Sequence, residues 1–173
     1  IPNSTDGRVA AVKPNTKTKP TPQTSEDIES RREEVKSKIG QNKKNIEIRK
    51  NIVKAINWEN KSLRQAMLDE GYVDFMGILI HPNTPLEIFD RIDSKVFEIA
   101  KKEGVEFFNY QVKEGNHGMM QSLSDNTGKK YGIMLSSGLR NLNSYRTEKA
   151  KNERTNHVVL HELGHVLWET KLT

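Results

Sequence analysis

The sequence predicts an α+β fold, in which a small mixed sheet carries a backing helix and a histidine-bearing helix and is preceded by long α-helices. Three observations lead to this prediction. Residues 25–70 carry heptad-spaced apolar positions and no strand signal. Residues 72–136 alternate short apolar runs with turn-forming residues around one amphipathic helix. The last apolar stretch, HVVLHELGHVLW, is typical of a packed helix.

Composition limits the classes of protein that this chain can belong to. Its 173 residues, 34% hydrophobic with a mean hydropathy of -0.77, suffice for one domain with a modest core plus extensions. The net charge of +5 is too mild to favour nucleic-acid binding. Without cysteine there are no disulfides and no thiolate chemistry, and no apolar run is long enough to span a membrane. We therefore expect a soluble protein, whose compartment the composition does not indicate.

The chain divides by composition into three segments. Residues 1–24 hold four prolines and no apolar periodicity, which predicts a flexible tail or linker. Residues 25–70 form a long helical region, coiled-coil-like, which Gly40 could divide. Its apolar stripe follows two heptad rows, Ile28, Val35, Ile56, Leu63 and Ile39, Ile46, Val53, Met67. Because that stripe is narrow for a globular core, we expect it to dock on a protein partner.

Residues 71–173 form the predicted sheet-and-helix domain. The run YVDFMGILI predicts one strand, and Thr84 is the predicted N-cap of a single amphipathic helix over 85–103. Three strands follow in VEFFNYQV, MMQSLS and KYGIMLSS, separated by turn signals. Thr155 is the predicted N-cap of the final helix.

The motif H-E-L-G-H in that final helix contains the candidate metal-binding and catalytic residues. His161 and His165 lie one turn apart on the same helix face, so both imidazoles can bind one ion, and zinc suits such ligands. Glu162 projects beside the pair, where its carboxylate can take a proton from a water that the ion activates. The sequence therefore predicts His161 and His165 as Zn²⁺ ligands and Glu162 as the catalytic base.

The surroundings of the motif are apolar, with Val158, Val159, Leu160, Val166, Leu167 and Trp168 on either side. We therefore expect a helix that is buried on much of its perimeter. Gly164 lowers helix propensity, and its presence predicts a close backbone contact at that position.

The stretch HVVLHELGHVLW resembles the active-site helix of the zincin metallopeptidases, a class that includes the lethal-factor-like and phage-associated kinds. The resemblance covers residues 72–170 in outline and 157–168 in specific residues. It implies a peptidase that hydrolyses peptide or protein substrates with zinc. It also implies a substrate-binding edge strand in KYGIMLSS, comprising Tyr131, Gly132, Ile133, Met134 and Leu135.

The third zinc ligand is not assigned by the sequence. The metzincin pattern is excluded, because Trp168 and Lys171 stand where it requires glycine and histidine. Glu169 and His157 each lie one further turn along the helix, and positions two turns apart are about 12 Å apart along the axis. His117, in a predicted turn, could reach a cleft, whereas His81 is interpreted as a turn residue. By the resemblance, the missing ligand belongs to a C-terminal subdomain that this chain lacks, which agrees with a fragment that begins at Ile1 rather than Met.

Two functions from different classes follow from these observations. The first is zinc-dependent peptide hydrolysis with Glu162 as general base. The alternative is a zincin-fold protein without catalysis, which serves a structural or interaction role in a larger assembly and docks through the helices at 25–70.

Overall fold

A computed structural model describes residues 25–40 and 45–172 of the chain. The helices are α1 (Ser25–Lys36), α2 (Asn45–Glu59), α3 (Leu63–Asp69), α4 (Leu86–Arg91), α5 (Ser94–Lys102) and α6 (Glu148–Leu172), and the strands are β1 (Val73–Phe75), β2 (Ile78–Ile80), β3 (Val105–Gln111), β4 (Gly118–Asp125) and β5 (Gly128–Ser136). The predicted tail at residues 1–24 lies outside the described residues. The chain divides into two compact units between Ser30 and Arg31, and the sheet belongs to the second unit.

The five strands form one mixed sheet in the order β1-β2-β3-β5-β4. The pairs β2–β3 and β3–β5 are parallel, whereas β1–β2 and β4–β5 are antiparallel hairpins. A mixed sheet with packed helices confirms the predicted α+β class at this coarse level.

The run YVDFMGILI is two strands, and the prediction of one strand was wrong. Phe75 pairs with Ile78 across a two-residue loop of Met76 and Gly77. Both loop residues have positive φ angles, 55° and 88°, which is the backbone of a type I′ turn and matches the twist of paired strands. The hairpin depends on this backbone conformation. Methionine has no preference for turns, so the sequence did not indicate a turn here.

Alternation along the strands directs neighbouring side chains to opposite faces of the sheet. On one face, Leu79 and Phe107 pack with the apolar side chains of α2 and α3 in a single cluster. On the other face, the ring of Phe108 lies 5.1 Å from that of Phe97 in α5. Helices therefore cover both faces of the sheet.

The apolar stripe predicted to dock on a partner is only partly the one that packs inside the chain. In α2 the buried side chains are Ile48, Ile52 and Ile56, spaced by one turn each, whereas Val53 of the predicted rows is 38% exposed. The three buried side chains contact α3 and the sheet, so the packing continues across the predicted boundary between residues 70 and 71. The helical region is also three helices rather than one or two long ones. A coiled coil is not seen in the described residues.

Arg32 of α1 is a buried cation that no pattern in the sequence singled out. Its guanidinium donates to Ser94 Oγ, Phe89 O and Asp90 O, each at 3.1 Å. It also lies 5.0 Å from the ring centroid of Phe89, a favourable cation–π distance. These contacts join the end of α1 to the region around α4 and α5.

The predicted backing helix over 85–103 is broken into α4 and α5. Ile92 leaves helical geometry at φ -86° and ψ 122°. The side chain of Asn156 in α6 stabilises the break. Its Nδ2 donates to Arg91 O at 3.0 Å, and its Oδ1 accepts from the Asp93 N–H at 2.9 Å. These long-range hydrogen bonds satisfy backbone groups that a continuous helix would pair locally.

Two predicted helix caps were also wrong. Pro85 rather than Thr84 is the N-cap of α4, and the Thr84 hydroxyl donates to His81 O at 2.7 Å. The final helix begins at Glu148, well before Thr155, and Thr147 Oγ1 accepts from the Ala150 N–H at 3.0 Å. Thr155 is a buried mid-helix residue whose hydroxyl donates to Lys151 O. Among the described helices, none is both long and apolar enough to cross a membrane.

Candidate metal centre

The motif H-E-L-G-H lies in the second half of α6, more than one turn from either helix end. Val159, Leu163 and Val166 form the face that packs on the rest of the fold, with exposed fractions of 0%, 3% and 0%. His161 and His165 lie on the exposed side. The expectation of a helix buried on much of its perimeter was therefore only half right, since Leu160 and Trp168 are also exposed, at 43% and 68%.

The rings of the two motif histidines lie close together on one face of α6. Their ring centroids are 4.9 Å apart, with the ring planes at 86°. Two imidazoles that share a tetrahedral zinc ion through Zn–N bonds of about 2.0–2.1 Å have centroids about 5 Å apart. The rings of His157 and His161, also one turn apart, are 6.4 Å apart and stacked. The separation of the His161 and His165 rings is therefore compatible with a shared zinc ion.

Glu162 differs from its histidine neighbours in burial. Its side chain is 9% exposed, and within the described residues it forms no ion pair or hydrogen bond with another side chain. Its carboxylate oxygens are not among the fully covered polar atoms without a partner in the described residues. They therefore remain accessible from outside the fold.

The described residues supply no third ligand. They contain no group of three or more histidine, aspartate or glutamate side chains that could hold one metal ion. His117, a candidate from the sequence, is hydrogen-bonded to another side chain, since its Nδ1 lies 2.9 Å from Arg154 Nη2. Arginine only donates, so Nδ1 accepts and the ring proton is on Nε2, which leaves neither nitrogen of this neutral ring free to bind a metal.

His81 is a buried structural residue, apart from any metal cluster. Burial lowers its pKa to about 4, and its Nδ1 accepts from the Asn83 N–H at 2.9 Å. Burial, with the charge of Arg154, also lowers the pKa of His117, in agreement with the neutral ring inferred above.

The predicted edge strand is not at an edge. Residues Tyr131, Gly132, Ile133, Met134 and Leu135 belong to β5, which pairs with β3 on one side and β4 on the other. Both rows of its backbone hydrogen-bonding groups are therefore used, and it cannot add a peptide strand. The strand at this edge of the sheet is β4, to which the sequence had assigned no role.

Strand β4 meets α6 at the motif. A Cβ atom on Gly118 would lie 2.8 Å from Val158 Cγ1 and 3.5 Å from Glu162 Cγ. A real side chain does not fit at 2.8 Å, so glycine permits this close approach of strand and helix. The predicted close contact of Gly164 is wrong, because a Cβ atom there would meet nothing within 4 Å.

Two clefts open on either side of Gly118 and Glu162, which line both. The basic cleft, of about 430 Å³, is lined by Gly115, Asn116, His117, Gly118, Arg154, His157, Val158, His161 and Glu162. The tryptophan cleft, of about 340 Å³, is lined by Gly118, Met119, Met120, Glu162, His165, Trp168 and Glu169. Glu169 thus borders the site without joining a metal cluster.

No protein-family model matches this chain, and neither the curated proteins nor the solved structures contain a match. The function is therefore inferred from the residues and their geometry.

Proposed function

We propose that this chain is a zinc-dependent peptidase in which His161 and His165 hold the ion and Glu162 is the general base. The observation that carries the proposal is the combination on one helix of a histidine pair at zinc-sharing separation, 4.9 Å between centroids, with an adjacent carboxylate of 9% exposure. A zinc ion bound there would lower the pKa of a water molecule and polarise the scissile carbonyl.

Glu162 takes a proton from the attacking water and later delivers it to the leaving amine. Its position supports this role, because the unpaired carboxylate lies where the two clefts meet. An ion pair with a neighbouring cation would compete for the carboxylate and weaken it as a base.

The substrate binds in extended form along β4. The outer edge of β4 has no neighbouring strand among the described residues, and it offers backbone N–H and C=O groups to a peptide strand. Gly118 brings this strand against α6 beside Glu162, and Met119 and Met120 of β4 line one cleft with His165. These positions support a peptide at this edge that passes beside the motif. Strand β4 thus takes the role that the sequence had indicated for β5.

One observation favours the alternative, a zincin-fold interaction protein without catalysis. Two histidines fill only half of a tetrahedral coordination shell, and the described residues provide no third ligand. Docking through the helices at 25–70 would use less apolar surface than the sequence indicated. Ile56, Leu63 and Met67 of the predicted rows pack in the core, whereas Val53 is exposed.

The two functions separate in an experiment that measures zinc affinity by calorimetry and hydrolysis with quenched fluorescent peptides. We expect Glu162→Gln to retain zinc and lose roughly 10²–10⁴ of the hydrolysis rate, since it keeps the shape of the side chain and removes the base. His161→Ala and His165→Ala should lower zinc affinity at least about tenfold. A chelator should abolish hydrolysis, and added zinc should restore it.

His157→Ala is the matched control for zinc affinity. His157 is exposed, like the motif pair, and lies one turn before His161, but positions 157 and 165 are about 12 Å apart along the axis. Zinc affinity should therefore be unchanged in this variant. A wild-type rate in Glu162→Gln would refute the catalytic role, and equal losses of zinc in His157→Ala and His165→Ala would refute the ligand assignment. Zinc binding without hydrolysis of any peptide would favour the alternative.

A further inference from the structure

The basic cleft holds a cation that lacks an anionic partner. Arg154 lies two turns before Glu162 on α6 and lines this cleft together with His117. Its Nη2 contacts a neutral imidazole, and its buried Nε has no hydrogen-bond partner. Among the described residues Arg154 forms no ion pair with a carboxylate.

This arrangement is unusual for a half-buried guanidinium. Buried charges in proteins are normally paired, and buried N–H groups normally have an acceptor. Arginine presents five donors in a planar fork that matches a carboxylate. The contact with His117 uses one of them and fixes the guanidinium without neutralising it. Arg154 is therefore prepared to receive an anion from outside the chain.

Glu162 is the other charged group that lines the basic cleft. Eight residues separate Glu162 from Arg154, which corresponds to about 12 Å along the helix axis. An extended peptide advances about 3.3 Å per residue. A substrate whose scissile bond lies at Glu162 would thus bring a side chain within about four residues of that bond to Arg154.

From these contacts we infer that the basic cleft binds a carboxylate of the peptide substrate through Arg154, with His117 as the positioning residue. The carboxylate comes from an Asp or Glu side chain or from the C-terminus of the peptide. This inference rests on the proposed peptidase function and assigns to it a preference for acidic substrates.

The competing explanation is structural, with Arg154 serving only to brace the loop that carries His117. A brace would affect folding and the rate with every peptide alike. A carboxylate site affects the ratio between acidic and neutral peptides, so the experiment measures that ratio.

The test uses amidated decapeptide pools in which one Glu or one Gln is scanned along neutral positions. Hydrolysis is measured with the wild-type chain, and binding is measured with the Glu162→Gln variant by fluorescence polarisation. A third pool has no Glu and carries a free C-terminal carboxylate, which distinguishes the two sources of the anion. Lys149→Gln is the matched control, since it removes one positive charge from an exposed position on the same helix that does not line the cleft.

We expect Glu to be preferred over Gln by roughly tenfold or more at one position, as for a charge-assisted bidentate contact. Arg154→Gln should bring this ratio close to one, Arg154→Glu should reverse it in favour of Lys-containing peptides, and Lys149→Gln should keep it. A ratio that survives in Arg154→Gln, or equal losses for all pools, overturns the inference. Hydrolysis without an acidic preference overturns the inference while leaving the proposed function intact. Binding that prefers Glu and depends on Arg154, without hydrolysis, supports the carboxylate site and argues against the peptidase.

Discussion

Replacement of Gly164 by alanine should stabilise the protein although it alters the centre of the histidine motif. Gly164 is an exposed residue within α6, and a Cβ atom there would meet nothing within 4 Å. The substitution therefore introduces no clash and buries no apolar surface. What remains is helix propensity, which favours alanine over glycine by about 0.8–1.0 kcal/mol in a helix interior.

The expected rise in the free energy of unfolding is thus about 0.8–1.0 kcal/mol. For a chain of this size that corresponds to a rise in melting temperature of about 2–4 °C. Urea denaturation followed by far-UV circular dichroism measures the first quantity, and differential scanning calorimetry measures the second. Zinc affinity should be unchanged, because a firmer helix keeps His161 and His165 one turn apart.

Gly132→Ala is the matched control with the opposite expected sign. A Cβ atom at Gly132 would clash with the ring of Phe107, whose side chain is fully buried. Overpacking of this kind costs about 1–3 kcal/mol or more. A loss of stability in Gly164→Ala, or an equal change in both variants, would refute the reasoning that neighbouring atoms decide these signs.

Further predictions concern two buried groups. The folded-state pKa of His81 is lowered to about 4 from 6.5, so the unfolded chain binds a proton that the folded chain does not. Stability should fall by about 3 kcal/mol as the pH drops from 6.5 to about 4, and His81→Gln should flatten this dependence in urea titrations at several pH values. An unchanged slope in that variant would contradict the assignment. Arg32→Met should cost about 3 kcal/mol of unfolding free energy, since it leaves carbonyl groups unpaired, whereas the exposed Lys149→Met should change it by less than about 0.5 kcal/mol. Similar losses in the two variants would refute the structural role of Arg32.

The prediction from sequence succeeded where short-range pattern decides structure. The strands over VEFFNYQV, MMQSLS and KYGIMLSS are β3, β4 and β5 of the sheet. Their alternation and turn signals involve contacts only a few residues apart. The class of fold follows from such local signals.

The prediction failed where partners distant in sequence decide structure. The break between α4 and α5 depends on Asn156, which lies more than 60 residues away from both backbone groups that it binds. No local signal marks it. By contrast, the interior position of β5 is indicated by its own sequence. Its continuous apolar run, GIML, is typical of a strand with two neighbours, whereas the half-exposed, polar MMQSLSD of β4 is typical of an edge.

By itself, the sequence determined that His161 and His165 share one helix face with Glu162 beside them, because helical periodicity is a local property of the backbone. Only the tertiary structure decided which face of α6 is exposed, which strand runs beside it, and that Arg154 and His117 meet in a cleft next to the motif. The physical reason is that burial and contact depend on packing between residues far apart in the chain. Gly118 shows this most directly, since the room that its missing Cβ gives to Val158 exists only once β4 and α6 are in contact.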